Sequence, residues 1–261
     1  MSSMTTANQI EAALQSCGVT ETTLTEAEKR AYRDDGFVLF KNLIEPDWLK
    51  ALSDRFNELI KKEGKAAGSE FDQEKGAPRL SDLVNKGAVF DRLWMHPKIL
   101  ASAAFLFGRE FKLLSLNGRD AAPGEGGQAL HCDWAPRKDL VCCVCNAIVL
   151  LDDYAADNGA TRVVPGTHLK TGAASEYVQD LNAKHPDEIT VLAPAGSVIM
   201  MNSHLWHGGT VNRSGKPRRV YHVAYVGREQ AQFQVDQREY LRKTTYDRLS
   251  PAARYILDVE P

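Results

Sequence analysis

The chain has 261 residues and a formal net charge of −2, with 43% hydrophobic and 25% charged residues, the composition of an ordinary soluble globular protein. The charge balance gives no reason to expect nucleic acid or an anionic membrane as partner. No apolar run approaches the ~20 residues of a membrane-spanning helix. The opening "MSSMTTANQIEAALQ" lacks the basic start and apolar core of a secretory leader. Five cysteines, an odd number, point to free thiols in a reducing compartment. A cytoplasmic protein, monomer or homodimer, is therefore expected.

The first third reads as helical. In "TLTEAEKRAYRDDG", Thr25 and Glu28 form a capping box and Gly36 marks the stop. The short apolar "FVLFKNLI" predicts a strand. Pro46 then opens a helix with Trp48, Leu49, Leu52, Phe56, Leu59 and Ile60 on one stripe. Residues 63–78, polar and rich in Gly and Ala, predict a loop suited to closing over a substrate. A further helix is expected at about 97–107.

From Phe111 the pattern turns to short β-rich runs: "FKLLSL", "QALHCDW", "VCCVCNAIVLL", "TRVVP", "SVIMMN" and "RRVYHVAYV". Apart from a possible helix at 173–184, no long helix intervenes, which disfavours parallel βαβ units. The tail "VDQREYLRKTTYDRLSPAARYIL" returns to helix. The expectation is one mainly β domain over residues 1–261, with a helical part to about 108 and a double-sheet core over about 109–228. A helical tail over about 229–261 completes it. Cys142 and Cys145 form a C-x-x-C, but inside a buried strand they read as small core residues. Such a strand would put Cys143 and Cys145 on one face, and Cys142 on the other.

His131 and Asp133 in "LHCDWAP" are two apart, so on a strand they project from one face. Alone such a pair is more often surface polarity than a metal site. A third donor is available among His168, His185, His204, His207 and His222. His207 stands out because it ends the run "SVIMMNSHLWHGG" and two glycines follow it. Arg218 lies eleven residues further on, at the start of the next strand. Two imidazoles and one carboxylate on one side of Fe(II) leave positions for a 2-oxo acid and O2. A guanidinium suits the far carboxylate of that acid.

With these residues in view, the sequence resembles the phytanoyl-CoA dioxygenase family of Fe(II)/2-oxoglutarate-dependent oxygenases. "LHCDW", "DDYAADNGATRVVPGTHL", "HLWHGGTVNRSGKPRR" and the opening "RDDGFVLFKNLI" carry the resemblance. It implies a double-stranded β-helix (jelly roll, cupin-like) core, and Fe(II) with 2-oxoglutarate and O2 as cosubstrates. By position, the iron ligands would be His131, Asp133 and His207, with Arg218, Gln128 and Thr161 binding 2-oxoglutarate. Hydroxylation of a small specialised metabolite is the expected reaction. A metal-retaining binding protein or a cupin-type isomerase is the alternative, and neither needs Arg218. The substrate pocket is expected to be largely apolar, with candidates Phe71, Asn117, Arg119, Trp134 and Trp206; the two tryptophans read equally well as core. His204 competes with His207 as ligand. His168 reads as structural, Arg219 as a solvated charge, and Asp152 and Asp153 as a solvated turn or cap.

Overall fold

The computed structural model describes residues 7–134 and 138–260. The first six residues of the opening and the Ala135–Pro136 that close "LHCDWAP" lie outside them. Helices α1 (Ala7–Ser16) and α2 (Glu26–Asp34) lead into strand β1 (Phe37–Phe40) and helix α3 (Pro46–Glu63). Strand β2 (Arg79–Leu80), helices α4 (Asp91–Trp94) and α5 (Pro97–Phe107) and the long strand β3 (Phe111–Asp120) follow. Then come β4 (Val144–Leu150), β5 (Thr161–Val164), β6 (Ile189–Thr190), β7 (Val198–Asn202), β8 (Trp206–Gly209) and β9 (Arg219–Gly227). Helices α6 (Gln237–Tyr240), α7 (Lys243–Arg248) and α8 (Pro251–Ile256) close the chain.

The local signals explain the helices. Thr25 Oγ1 accepts from the Glu28 N–H at 3.2 Å and the Glu28 carboxylate accepts from the Thr25 N–H at 2.7 Å, so both orphan donors of the first turn are satisfied. After α2 the chain reverses at Gly36, where φ is +84° and a Cβ would stand 2.5 Å from the His168 ring; only glycine fits. Pro46 starts α3, whose Trp48, Leu52, Phe56 and Leu59 are buried while Leu49 and Ile60 are partly so.

The strands form two antiparallel sheets. The large one has the order β1-β7-β4-β9-β3-β2 and the small one β6-β5-β8. Both edge strands of the large sheet come from the N-terminal third, so the helices there are stitched to the β core. β4 is buried on both faces. Cys145, Ala147 and Val149 pack toward the helices, with Phe56 of α3 against Tyr221 of β9 at 5.6 Å. Ile148 and Leu150 pack toward the small sheet with Val163, Leu205 and Met201. This is a jelly roll with helices covering the outer face of the large sheet.

Four expectations are corrected. "QALHCDW" is not a strand: His131 makes a single antiparallel bridge with His207. "SVIMMNSHLWHGG" is not one run, because Asn202 Oδ1 accepts from the His204 N–H at 3.0 Å and breaks it into β7 and β8, in different sheets. Residues 173–184 hold one short 3-10 turn at Ala174–Glu176 in place of a helix. β4 starts only at Val144, so Cys142 packs in the same cluster as Cys145, whereas Cys143 packs elsewhere with Leu114 and Val226. All three thiols are buried and free; burial pushes that of Cys142 up to about 12, which makes it inert rather than a redox or metal group.

Candidate metal centre

β8 and the segment before it assemble the centre. His131 and His207 exchange backbone hydrogen bonds, each N–H donating to the other's carbonyl at 2.9 Å, and the Asp133 N–H donates to the Ser203 carbonyl at 2.9 Å. The glycines after His207 make this close approach possible. A Cβ on Gly208 would lie 2.9 Å from the Gln128 carbonyl oxygen, and one on Gly209 would lie 2.5 Å from that of Gly126.

The imidazoles are oriented from behind. His131 Nδ1 lies 2.8 Å from the Ala129 carbonyl oxygen and His207 Nδ1 lies 3.0 Å from that of Leu205. A carbonyl only accepts, so each Nδ1 carries a proton and Nε2 is the nitrogen turned toward the cleft. Both Nε2 atoms face Asp133 Oδ1, at 3.6 and 3.4 Å. One donor atom from each of the three residues fits within 4.8 Å of the others. Asp133 is densely surrounded by protein, yet its side chain keeps 30% of its surface open to the cleft. Burial opposes ionisation of its carboxyl, and the two imidazoles more than offset this and hold it well below the usual carboxylate range. Two imidazole nitrogens and one anionic oxygen converging beside an open cleft suit a divalent first-row metal such as Fe(II). His204 lies outside this cluster.

The cleft has a volume of about 250 Å3. Its floor is the inner face of the large sheet, where Asn117 of β3 stands opposite His222 of β9 and His222 opposite Ile148 of β4. Arg218 reaches in at one end, only 2% exposed. Its Nη1 donates to the Tyr154 hydroxyl at 3.1 Å, and that hydroxyl is 3.3 Å from Thr161 Oγ1. Nε and Nη2 of Arg218 have no hydrogen-bond partner among the described residues. A buried guanidinium with two idle donors is costly unless an anion completes it. Gln128, beside it in the cleft, accepts from the Gly209 N–H at 3.1 Å.

Of the residues expected to meet substrate, Phe71, Asn117 and Arg119 line the cleft. Trp134 stands behind it, 5.2 Å from the ring of the lining residue Phe233. Trp206 points the other way, into a cluster with Leu130 and Val164, and is core. His168 is structural, its Nε2 3.2 Å from the Arg33 carbonyl oxygen at the end of α2. Arg219 is not a solvated charge: it forks onto Asp152 at 2.7 and 2.9 Å. Asp153 accepts from the Ala195 N–H at 2.7 Å. The expectation of a largely apolar pocket fails, because Arg79, Arg119, Asn117, Asn146, His222 and Gln234 all line it.

Sequence reasoning passed over Tyr154 and Asn146, and weighed His222 only as a candidate metal donor. Asn146 Nδ2 lies 3.4 Å from Asp133 Oδ2 and 3.3 Å from His222 Nδ1. Burial, with Arg79 and Arg119 nearby, pushes the His222 imidazole down to about 3, so it is neutral and its Nδ1 is free to accept.

The profile "Phytanoyl-CoA dioxygenase (PhyH)" matches residues 32–220, well over half of the chain. The chain belongs to the phytanoyl-CoA dioxygenase family. It is a non-haem Fe(II)- and 2-oxoglutarate-dependent dioxygenase that oxidises a small organic molecule. The dioxygenase trt7 of Aspergillus terreus is 27% identical over 209 residues, covering 72% of this chain and 68% of that protein. The fold is shared with HygX of Streptomyces hygroscopicus, solved with nickel, 2-oxoglutarate and hygromycin B (TM-score 0.68, 18% identity, 81% of this chain and 90% of that one). It is likewise shared with the α-ketoglutarate-dependent carbocyclase SnoK from nogalamycin biosynthesis (TM-score 0.64, 20% identity, 90% and 94%). Among the described residues of this dioxygenase, no helix is long and apolar enough to cross a membrane.

Proposed function

We propose that the dioxygenase holds Fe(II) through His131 Nε2, His207 Nε2 and an Asp133 carboxylate oxygen. In the same reading it holds the distal carboxylate of 2-oxoglutarate at Arg218, Tyr154 and Thr161, and hydroxylates a small specialised metabolite. One observation carries this assignment: the idle donors of buried Arg218 and the three converging donor atoms share one cleft. A metal-retaining binding protein or a cupin-type isomerase that takes no 2-oxo acid leaves that guanidinium without a role.

Each residue has a defined task. Bound Fe(II) supplies the redox chemistry that couples decarboxylation of a 2-oxo acid to substrate oxidation by O2. The carbonyls of Ala129 and Leu205 hold the Nδ1 side of each imidazole, so Nε2 is the nitrogen each ring presents to a metal. Asp133 contributes negative charge without a proton to lose. Arg218 orients the cosubstrate by its far end, with Tyr154 keeping the guanidinium plane in place. Gln128 pins Gly209 beside it. All of these groups come from one chain, so a single copy can carry the reaction. The buried, unpaired thiols favour a reducing compartment such as the cytoplasm.

Anaerobic addition of 2-oxoglutarate to the Fe(II) protein tests the assignment, because chelation produces a weak visible charge-transfer band. The wild-type band should saturate with 2-oxoglutarate, and Arg218→Ala should raise the half-saturating concentration about 30-fold or more, the cost of removing one partner of a buried charged pair. An unchanged half-saturation in Arg218→Ala sinks the cosubstrate assignment.

A further inference from the structure

The cleft holds more positive charge than the metal and cosubstrate reading uses. Its lining contains three guanidiniums, Arg79, Arg119 and Arg218, and one carboxylate, Asp133. In that reading Arg218 serves 2-oxoglutarate and Asp133 serves the iron, which leaves Arg79 and Arg119. These two stand directly opposite each other in the β2–β3 pair, where like charges repel. Glu74, from the loop before β2, relieves the repulsion. Its Oε2 accepts from Arg79 Nε and Nη2 at 3.0 and 2.6 Å and from Arg119 Nε at 2.9 Å, and its Oε1 accepts from Arg119 Nη2 at 2.6 Å.

One carboxylate therefore serves two guanidiniums, and it is not among the cleft-lining residues. Asp72 adds only a half-exposed carboxylate 3.6 Å from Arg79 Nε, which solvent screens. The Nη1 groups of both arginines make no hydrogen bond among the described residues. Arg119 is 3% exposed, so its remaining donor has little but the cleft to serve. Asn117, two residues earlier on the same face of β3, lines the same stretch and donates to Gln234 Oε1 at 2.9 Å. At the cleft's margin Phe71 and Phe233 are each close to half exposed.

We propose that Arg119 and Arg79 form a second anion subsite, which takes a carboxylate of the oxidised substrate while its apolar body rests against Phe71 and Phe233. The inference rests on the iron and 2-oxoglutarate assignment above and names the substrate class for that site: an amphiphilic organic acid. Glu74 is then an internal counter-ion that keeps the two guanidiniums side by side, each with one amino group to spare.

The test loads the full chain with Ni(II) and 2-oxoglutarate and measures, by calorimetry, the binding of three arylalkanoic acids of increasing length and of their methyl esters. At least one acid should bind about tenfold more tightly than its ester, as a charge-assisted pair predicts. Arg119→Gln should erase that ratio, and Arg79→Gln, at a more accessible position, should reduce it even if Arg119→Gln folds poorly. Glu74→Gln should raise acid affinity, since it removes the competing carboxylate. The inference is overturned if no acid outbinds its ester, or if Glu74→Gln lowers the ratio as the arginine variants do, the result for a purely structural cluster. It is also overturned if Arg119→Gln weakens 2-oxoglutarate itself, which would give the pair to the cosubstrate. Loss of the Fe(II)–2-oxoglutarate band in wild type marks failure of the underlying assignment; a normal band without acid preference marks failure of the subsite alone.

Discussion

The large and small sheets are both antiparallel, yet they carry different burdens. In the large sheet, strands of up to ten residues are covered by helices on one face and by the small sheet and cleft on the other. Its contribution to the site is a floor of polar side chains set into an otherwise apolar surface. In the small sheet the longest strands have four residues, and β8, with one backbone bridge to His131, brings the proposed metal ligands together. The end of the cleft that carries the proposed metal centre therefore rests on the thinner layer. Its precision comes from glycines and from carbonyls behind the imidazoles, rather than from ladder length.

The sharpest way to break this division is to truncate one residue in each layer. His131→Ala, Asp133→Ala and His207→Ala should each reduce succinate formation from 2-oxoglutarate to background while the thermal midpoint stays near that of the wild-type apoprotein, since a core of this size does not depend on metal to fold. Phe111→Ala in β3, fully buried between Phe107 and Tyr225, should do the reverse. It should cost about 3–5 kcal/mol of stability, read by chemical denaturation, and leave metal affinity of the folded fraction unchanged. If a ligand variant unfolds the chain, or Phe111→Ala abolishes metal binding in folded protein, the two layers are not separable.

A smaller effect is expected where the layers meet. Asn146 stands on the large sheet and its amide reaches Asp133, while neutral His222 accepts on its other side. Asn146→Ala should weaken Co(II) or Ni(II) binding about tenfold, the usual scale for groups that orient a ligand, with little change in folding stability. An unaltered metal affinity would show that the small sheet holds its carboxylate unaided.

How much of this was legible beforehand depended on whether the signal was local. The Thr25–Glu28 box, the Pro46 start and the apolar stripe of α3 are short-range features, and they appear where the sequence puts them. The cluster of His131, Asp133 and His207 was legible through its spacing and the glycines, although the strand assumed to carry His131 and Asp133 does not exist. Pairing across the chain was not legible. Arg219 looked solvated because its partner Asp152 is 67 residues away, and Trp206 read equally well as pocket wall or core until β8 placed it next to His207, where successive side chains face opposite sides. Asn146 did leave a trace: one amide inside "VCCVCNAIVLL" is expensive in a buried strand unless it is bonded. The polar floor could not be foreseen from composition, since Arg79, Arg119 and Glu74 converge only when β2 pairs with β3.

The smallest expected effect concerns that convergence and its response to acid. Burial works against ionisation of Glu74, but Arg119 and Arg79 outweigh it and hold the carboxyl at about 2. A folded value below the ordinary carboxylate value of about 4.3 means that ionised Glu74 stabilises the native state. That contribution is fully present above about pH 4.3 and is lost progressively as pH falls through the window down to about 2. Glu74→Gln lacks the titrating group, so its stability should change less across this window than that of wild type, and the two denaturation curves should draw together toward pH 2. Because Glu74 is partly accessible, the difference should be modest and should shrink with added salt. Parallel pH profiles for the two proteins would mean that the guanidiniums do not hold this carboxylate ionised. The floor of the cleft would then carry a different charge from the one its geometry implies.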